Sequence, residues 1–325
     1  MSYFNTIIGK DILIAKNYFE KGEVVGIPTE TVYGLAGNAL NEDSVLKIFS
    51  AKNRPHFDPL IVHVSSKEDI EKYTAEISPK AQVLIEHFMP GPLTILLKRK
   101  ALIPDLVTSG LDTVAIRIPQ HPLTIQLLKS LRFPLAAPSA NPFGYISPTT
   151  AQHVFEQLHG KIPYILDGGP ATVGVESTIV GFEEDTLVVY RLGGVSVEEI
   201  EKVAGKVKVN AHSSSNPKAP GMLKSHYAPK KKMIYGSESF LLQNISASER
   251  EKKIGIIAFD HYVNGFDEKY QVMLSPKCDL NEAAKNLFAA MRSMDDSEVD
   301  IICAVEFPQH GLGRAINDRL KRAAT

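Results

Sequence analysis

Two short loops hold most of the residues that could do chemistry. Pro28-Thr29-Glu30-Thr31-Val32-Tyr33-Gly34 sets two hydroxyls, a carboxylate and a phenol directly behind an apolar run at 24–27, where α/β folds place ligands. Lys52-Asn53-Arg54-Pro55 puts two cations beside a proline that stiffens them. Either loop alone reads as an ordinary turn with a solvated face; two of them flanking one helix make a site. In Thr113-Val114-Ala115-Ile116-Arg117-Ile118 a period of two sends Val114, Ile116 and Ile118 one way and Thr113, Ala115 and Arg117 the other. One long cation then rises among small neighbours, as on a cavity wall, where a planar guanidinium suits bidentate capture of a carboxylate or phosphate. The alternative is a snorkelling edge residue. His63 shares a face with Ile61 in the run 60–64, as either a satisfied core histidine or a ligand.

Further polar groups follow in small-residue turns. Prolines and small residues from Leu135 to Gly144 leave Ser139 and Asn141 free to bind a ligand, although turn capping also explains them. The hydroxyl of Ser147 or Thr149 is expected to cap a helix running through Leu158, whose free N–H groups favour an anion. Glycines at 168, 169 and 174 let a ligand approach the backbone near Glu176 and Ser177. Lys98-Arg99-Lys100 is a nucleotide or RNA contact or, more commonly for such runs, a solvated strand end. Gly311-Leu312-Gly313 is weak evidence for a phosphate loop. No Ser/His/Asp order or zinc spacing offers a rival chemistry.

The elements that must hold these residues alternate. Around the two loops the order is strand 24–27, loop, helix 44–52, loop, strand 60–64, with helices at 12–20 and 78–88 and strands at 94–97, 113–118 and 187–191. Ser177 falls in a strand running to Val180. Residues 210–232 lack an apolar period and are rich in Ser, Pro and Lys, as in a linker. Beyond them, strand 254–259, helix 283–291, strand 301–305 and helix 313–324 read as a second, smaller α/β domain.

Composition narrows the functional classes. At 325 residues two domains are expected. Lys+Arg 36 against Asp+Glu 37 gives a formal net charge of -1, so no global charge marks a nucleic-acid or membrane binder. Two cysteines cannot build a disulfide framework or a four-cysteine zinc site, and a reduced cytosolic setting is expected. The start lacks a continuous apolar core, and no segment approaches transmembrane length.

PTETVYGL, then KNRP, then DPLIVHV, in this order and spacing, resemble the YrdC-like family, the threonylcarbamoyl-AMP synthases. With PGMLKSHYAP and GLGRAINDRLKRAA the resemblance covers nearly the whole chain and points to the long, two-domain form. It implies a twisted mixed sheet with flanking helices over 1–209, a linker at 210–232 folding over the active site, and a Rossmann-like α/β domain over 233–325. It implies a cytoplasmic nucleotidyltransferase that makes L-threonylcarbamoyladenylate and pyrophosphate from L-threonine, bicarbonate or CO₂, and ATP with Mg²⁺. The product serves tRNA modification through a separate threonylcarbamoyl transferase; direct tRNA binding is left open. Family positions fall on Thr31, His63, Arg117, Ala137 and Ser177 for threonine. For ATP they fall on Lys52, Arg54, Asp58, Thr113, Ser139, Asn141, Ser147, Arg191 and Tyr227, with Lys52 and Arg54 serving the phosphates in catalysis and no metal-binding side chain. Asp58 departs from the pattern, which more often has Asn, and would repel a triphosphate unless Mg²⁺ bridges them. Tyr227 and the bulky Met222-Leu223 pair suggest that the linker is a lid. The competing reading is an RNA-binding module with a basic concave face at Lys98–Lys100 and Lys230–Lys232. A hydrogenase maturation factor of the same broad family would need more cysteines.

Overall fold

The computed structural model describes residues 4–210, 219–220, 226–245 and 251–325. The chain forms two compact units, 1–143 with 147–223, and 144–146 with 224–325. Residues 219–220 thus belong to the first unit and 226–232 to the second; Met222 and Leu223 lie outside the described residues.

The first unit carries a mixed sheet of eleven strands among the described residues, edged by Ile7–Gly9 and Lys208–Val209. At its centre Leu135–Ala136, Ile61–His63 and Thr113–Arg117 lie side by side, the last two parallel with Ile61 opposite Ala115 and His63 opposite Arg117. The expected alternation holds. Val62, Val114, Ile116 and Ile118 enter the main core, while Ile61 and Ala115 join Ile179, Val188, Tyr190 and Ala219 on the opposite face. Ala219, within the expected linker, therefore packs on the face that carries His63 and Arg117.

Helix Glu42–Lys52 explains how the second loop is placed. Asn41 caps it by accepting from Ser44 N–H, Glu42 and Asp43 complement the positive first turn, and Asn53 ends it in the left-handed region at φ 52°. Lys52 is thereby the last helical residue. The loop at 28–33 turns out to join two antiparallel strands, Val25–Ile27 and Gly34–Asn38. Gly34-Leu35-Ala36-Gly37-Asn38 lacks β-branched residues, so pairing and burial rather than propensity make it a strand. Helix Ala151–Leu158 is capped by Thr150, not by Ser147 or Thr149: Thr150 is the extended residue just before the first turn, and its hydroxyl accepts from His153 N–H. Ser177 precedes strand Thr178–Glu183 rather than lying in it.

In the second unit, among the described residues, four parallel strands run in the order Lys232–Gly236, Ile301–Val305, Ile254–Ala258, Gln271–Met273. Leu241 of helix Glu238–Asn244 packs with Ile256 and Cys303 on one face. Gly255 meets Met294 of helix Leu280–Asp296 on the other, where a Cβ would sit 2.8 Å from the sulfur. Gly311-Leu312-Gly313 is a closing turn rather than a ligand cradle, since a Cβ on Gly313 would lie 2.0 Å from Pro308 O. Tyr145 belongs to this unit and donates to Asp295 at 2.6 Å.

Candidate active site

Three groups of side chains gather in the first unit. The first is built on Arg117, which is 3% exposed. Its Nη2 donates to Glu30 Oε1 at 2.6 Å, Nη1 to Thr31 Oγ1 at 2.9 Å and Nε to Gly91 O at 3.2 Å. Thr29 and Thr31 hydroxyls are 2.8 Å apart, so the loop after strand Val25–Ile27 and the end of strand Thr113–Arg117 form one network. His63 is Arg117's neighbour in register, and Ala137 N–H donates to Ile61 O at 3.0 Å.

Burial, then the Arg117 cation, pushes the His63 imidazole down to about 3 from 6.5. His63 is therefore neutral at working pH. Below pH 6.5 the unfolded chain takes up a proton that the folded chain refuses, so stability falls as pH falls from 6.5 towards 3. Replacing His63 by Gln should flatten that slope by up to about 1.4 kcal/mol per pH unit. Denaturant midpoints of both proteins at pH 7 and pH 5 check it, and equal pH slopes would contradict it.

The second group surrounds Lys52. Its ammonium, 1% exposed, donates to Ser139 O at 2.6 Å and Asn141 O at 2.5 Å, while Lys52 O accepts from Phe143 N–H at 2.7 Å. The helix end and the 139–143 turn are thus one piece. Arg54 donates to Pro59 O at 2.9 Å and to Asp58 O at 3.2 Å, and pairs with the fully buried Asp58 carboxylate at 2.8 Å. Asp58 therefore meets a cation of its own chain. Burial and the Arg54 cation hold the Lys52 ammonium well below the usual lysine range, against the opposing fields of Asp58 and Glu176.

The third group is built on Ser177 and Arg191. Ser177 Oγ lies 2.7 Å from Thr94 Oγ1 and accepts from Arg191 Nη2 at 2.9 Å, and Arg191 Nε donates to Ser177 O at 3.0 Å. Beside it the Ser147 hydroxyl donates to Glu176 at 2.5 Å. Gly193 allows this approach, because a Cβ there would sit 2.3 Å from Glu176 O.

The family profile described as "Telomere recombination", for Sua5, YciO and YrdC proteins, matches residues 17–193, and the profile described as "Threonylcarbamoyl-AMP synthase, C-terminal domain" matches residues 195–325. The chain belongs to the Sua5/YciO/YrdC family. It is 41% identical over 324 residues to the threonylcarbamoyl-AMP synthase of Pyrococcus abyssi, covering 96% of this chain and 94% of that one. It is also 41% identical to that of Bacillus subtilis, over 94% and 90% of the two chains. The crystal structure of P. abyssi Sua5 complexed with L-threonine superposes with a TM-score of 0.91 at 40% identity, covering 98% and 97%.

Within this family frame the structure brings Thr31, His63 and Arg117 together, and Lys52, Arg54, Asp58, Ser139 and Asn141 together. Arg191, expected on the nucleotide side, bonds Ser177, expected on the threonine side. Thr113 lies half-buried at the start of its strand, paired with Lys98. Tyr227 stands in the second unit, stacked on Phe288 and flanked by Arg319 and Arg322 at 5.2 and 5.1 Å. Three residues of the basic runs serve the protein's own backbone: Arg99 donates to Leu111 O and Ile103 O, Lys100 to Glu71 O, and Lys231 to Met294 O. Sequence reasoning named Glu30 only as one of the polar residues of the first loop and assigned no role to Thr94 or Glu176. Glu30 and Glu176 stood inside quoted motifs; Thr94 had no signal, because only sheet order brings strand Leu93–Lys98 beside Thr178–Glu183. Among the described residues no group of three or more His, Cys, Asp or Glu is placed to hold a metal, and no helix is long and apolar enough to cross a membrane.

Proposed function

We propose that this chain makes L-threonylcarbamoyladenylate and pyrophosphate from L-threonine, bicarbonate or CO₂, and MgATP. The observation that carries the reading is the bond from Arg191 to Ser177, which ties a residue expected on the nucleotide side to one expected on the threonine side. Arg117, Thr31, His63, Ala137 and Ser177 form the threonine side, and Lys52, Arg54, Ser139, Asn141, Ser147 and Arg191 the nucleotide side, with Thr113 completing the latter. Threonine's amine takes up CO₂, a carbamate oxygen attacks the α-phosphorus, and pyrophosphate leaves. No protein nucleophile is needed, so the residues act by alignment and by stabilising charge on the phosphates. Lys52 bonds two carbonyls and no carboxylate, which suits an ammonium that meets phosphate oxygens. Mg²⁺ comes as part of the nucleotide substrate, for it is held by phosphates with few protein ligands. Asp58, neutralised by Arg54, acts on the geometry of Arg54 rather than on the ion. The product would pass to a threonylcarbamoyl transferase acting on tRNA, in the cytoplasm.

Purified protein with ATP, Mg²⁺, bicarbonate and L-threonine should release pyrophosphate and form an acid-labile adenylate, and omission of any one substrate should abolish both. Equal pyrophosphate release without threonine would sink the reading.

A further inference from the structure

Glu30 is a buried carboxylate to which the proposed reaction gives no task. A carboxylate survives burial only when it is paired and hydrogen-bonded, and Glu30 is bonded at both oxygens. Oε1 accepts from Arg117 Nη2 at 2.6 Å and Oε2 from Gln120 N–H at 3.0 Å. Its main-chain carbonyl also accepts from Val173 N–H at 2.7 Å, which ties the loop before Glu176 and Ser177 to the same point. Arg117 is correspondingly held at all three nitrogens, by Glu30, Thr31 and Gly91. One N–H on Nη1 and one on Nη2 are used in this way. The second N–H on each has no partner among the described residues, and a pair of that kind is what a carboxylate accepts.

We propose that Glu30 is the positioning residue of the threonine site. It sets the plane of Arg117 so that the two remaining N–H bonds meet the substrate carboxylate. It also cancels the cation's charge, so that recognition rests on hydrogen-bond direction and not on attraction for any anion. The two sides of the site then differ in kind. Lys52 bonds no carboxylate and draws phosphates, whereas the Glu30–Arg117 pair is neutral and leaves phosphates little reason to occupy the amino-acid position. The inference rests on the reading of Arg117 as the carboxylate site.

The test is calorimetric titration of L-threonine and of MgATP into the full-length wild type, Glu30→Gln, Arg117→Met and the double variant, repeated with inorganic phosphate present. Glu30→Gln keeps the shape but frees the charge of Arg117 and sets an amide N–H against Gln120 N–H. Threonine should bind about tenfold or more weakly, MgATP within about twofold of wild type, and phosphate should begin to compete with threonine. In the Arg117→Met background the further change Glu30→Gln should leave threonine affinity unmoved, because Glu30 acts only through Arg117. A merely structural role would instead lower both ligand affinities together and add to the loss in the double variant. Unchanged or tighter threonine binding by Glu30→Gln, or the absence of phosphate competition, overturns the proposal. Should Glu30→Gln not fold, the comparison of Arg117→Met with the double variant still decides, since the pair is then replaced by neutral side chains. A wild type that binds no threonine would instead sink the reading of Arg117 itself.

Discussion

Replacing Lys52 by Met should lower pyrophosphate release on the order of 10²–10³-fold, the usual loss when one preorganised group facing developing charge is removed. The ammonium is held at the end of helix Glu42–Lys52 by two carbonyls, so it reaches its place without reorganisation when nucleotide arrives. Its proton affinity is depressed by burial and by Arg54, and phosphate oxygens would restore it. The sign follows directly. Where the free protein has lost that proton, ATP binding must take one up, so wild-type ATP affinity should weaken as pH rises, with proton uptake seen as a buffer-dependent binding enthalpy. Lys52→Met should lose both the activity and the proton uptake while still binding threonine. Pyrophosphate release within threefold of wild type would remove Lys52 from the chemistry.

Replacing Arg54 by Met should be the most destabilising single change in the site. It leaves Asp58, fully buried, without the guanidinium 2.8 Å away. Removing one partner of a buried pair costs about 3–5 kcal/mol, whereas replacing both by apolar groups of similar volume is often neutral. Arg54→Met/Asp58→Leu should therefore recover most of the stability but none of the activity. Asp58→Asn should cost less than Arg54→Met, because Arg54 keeps its bonds to Asp58 O and Pro59 O, and it should tighten ATP binding by removing a negative charge near the phosphates. Thermal unfolding of the four proteins, with ATP titrations of those that fold, checks the order. Arg54→Met as stable as wild type would show that the pair does not hold the loop.

Much of the site was legible because its residues sit at the ends of strongly patterned elements. The period of two in 113–118, the apolar run 60–64 and the helical spacing over 44–52 are local, so they placed Arg117, His63 and Lys52 without knowledge of the fold. The cap of helix Ala151–Leu158 was misplaced by one to three residues for the complementary reason. Three hydroxyl residues within 147–150 offer the same chemistry, and only the backbone's entry into the helix selects Thr150. Strand Gly34–Asn38 was missed because its residues have no strand propensity of their own and are held by neighbours on both sides.

What the sequence determined by itself is therefore the family, the α/β alternation, the two-domain plan and the identity of the polar residues, all carried by local pattern and motif order. What only the tertiary structure decided is pairing. Arg117 meets Glu30 from 87 residues away, Ser177 meets Thr94 from 83, and Lys52 meets the carbonyls of Ser139 and Asn141 from 87 and 89. Such partners are chosen by sheet order and register, which depend on how distant strands bury their apolar faces together. No window of neighbouring residues contains that information.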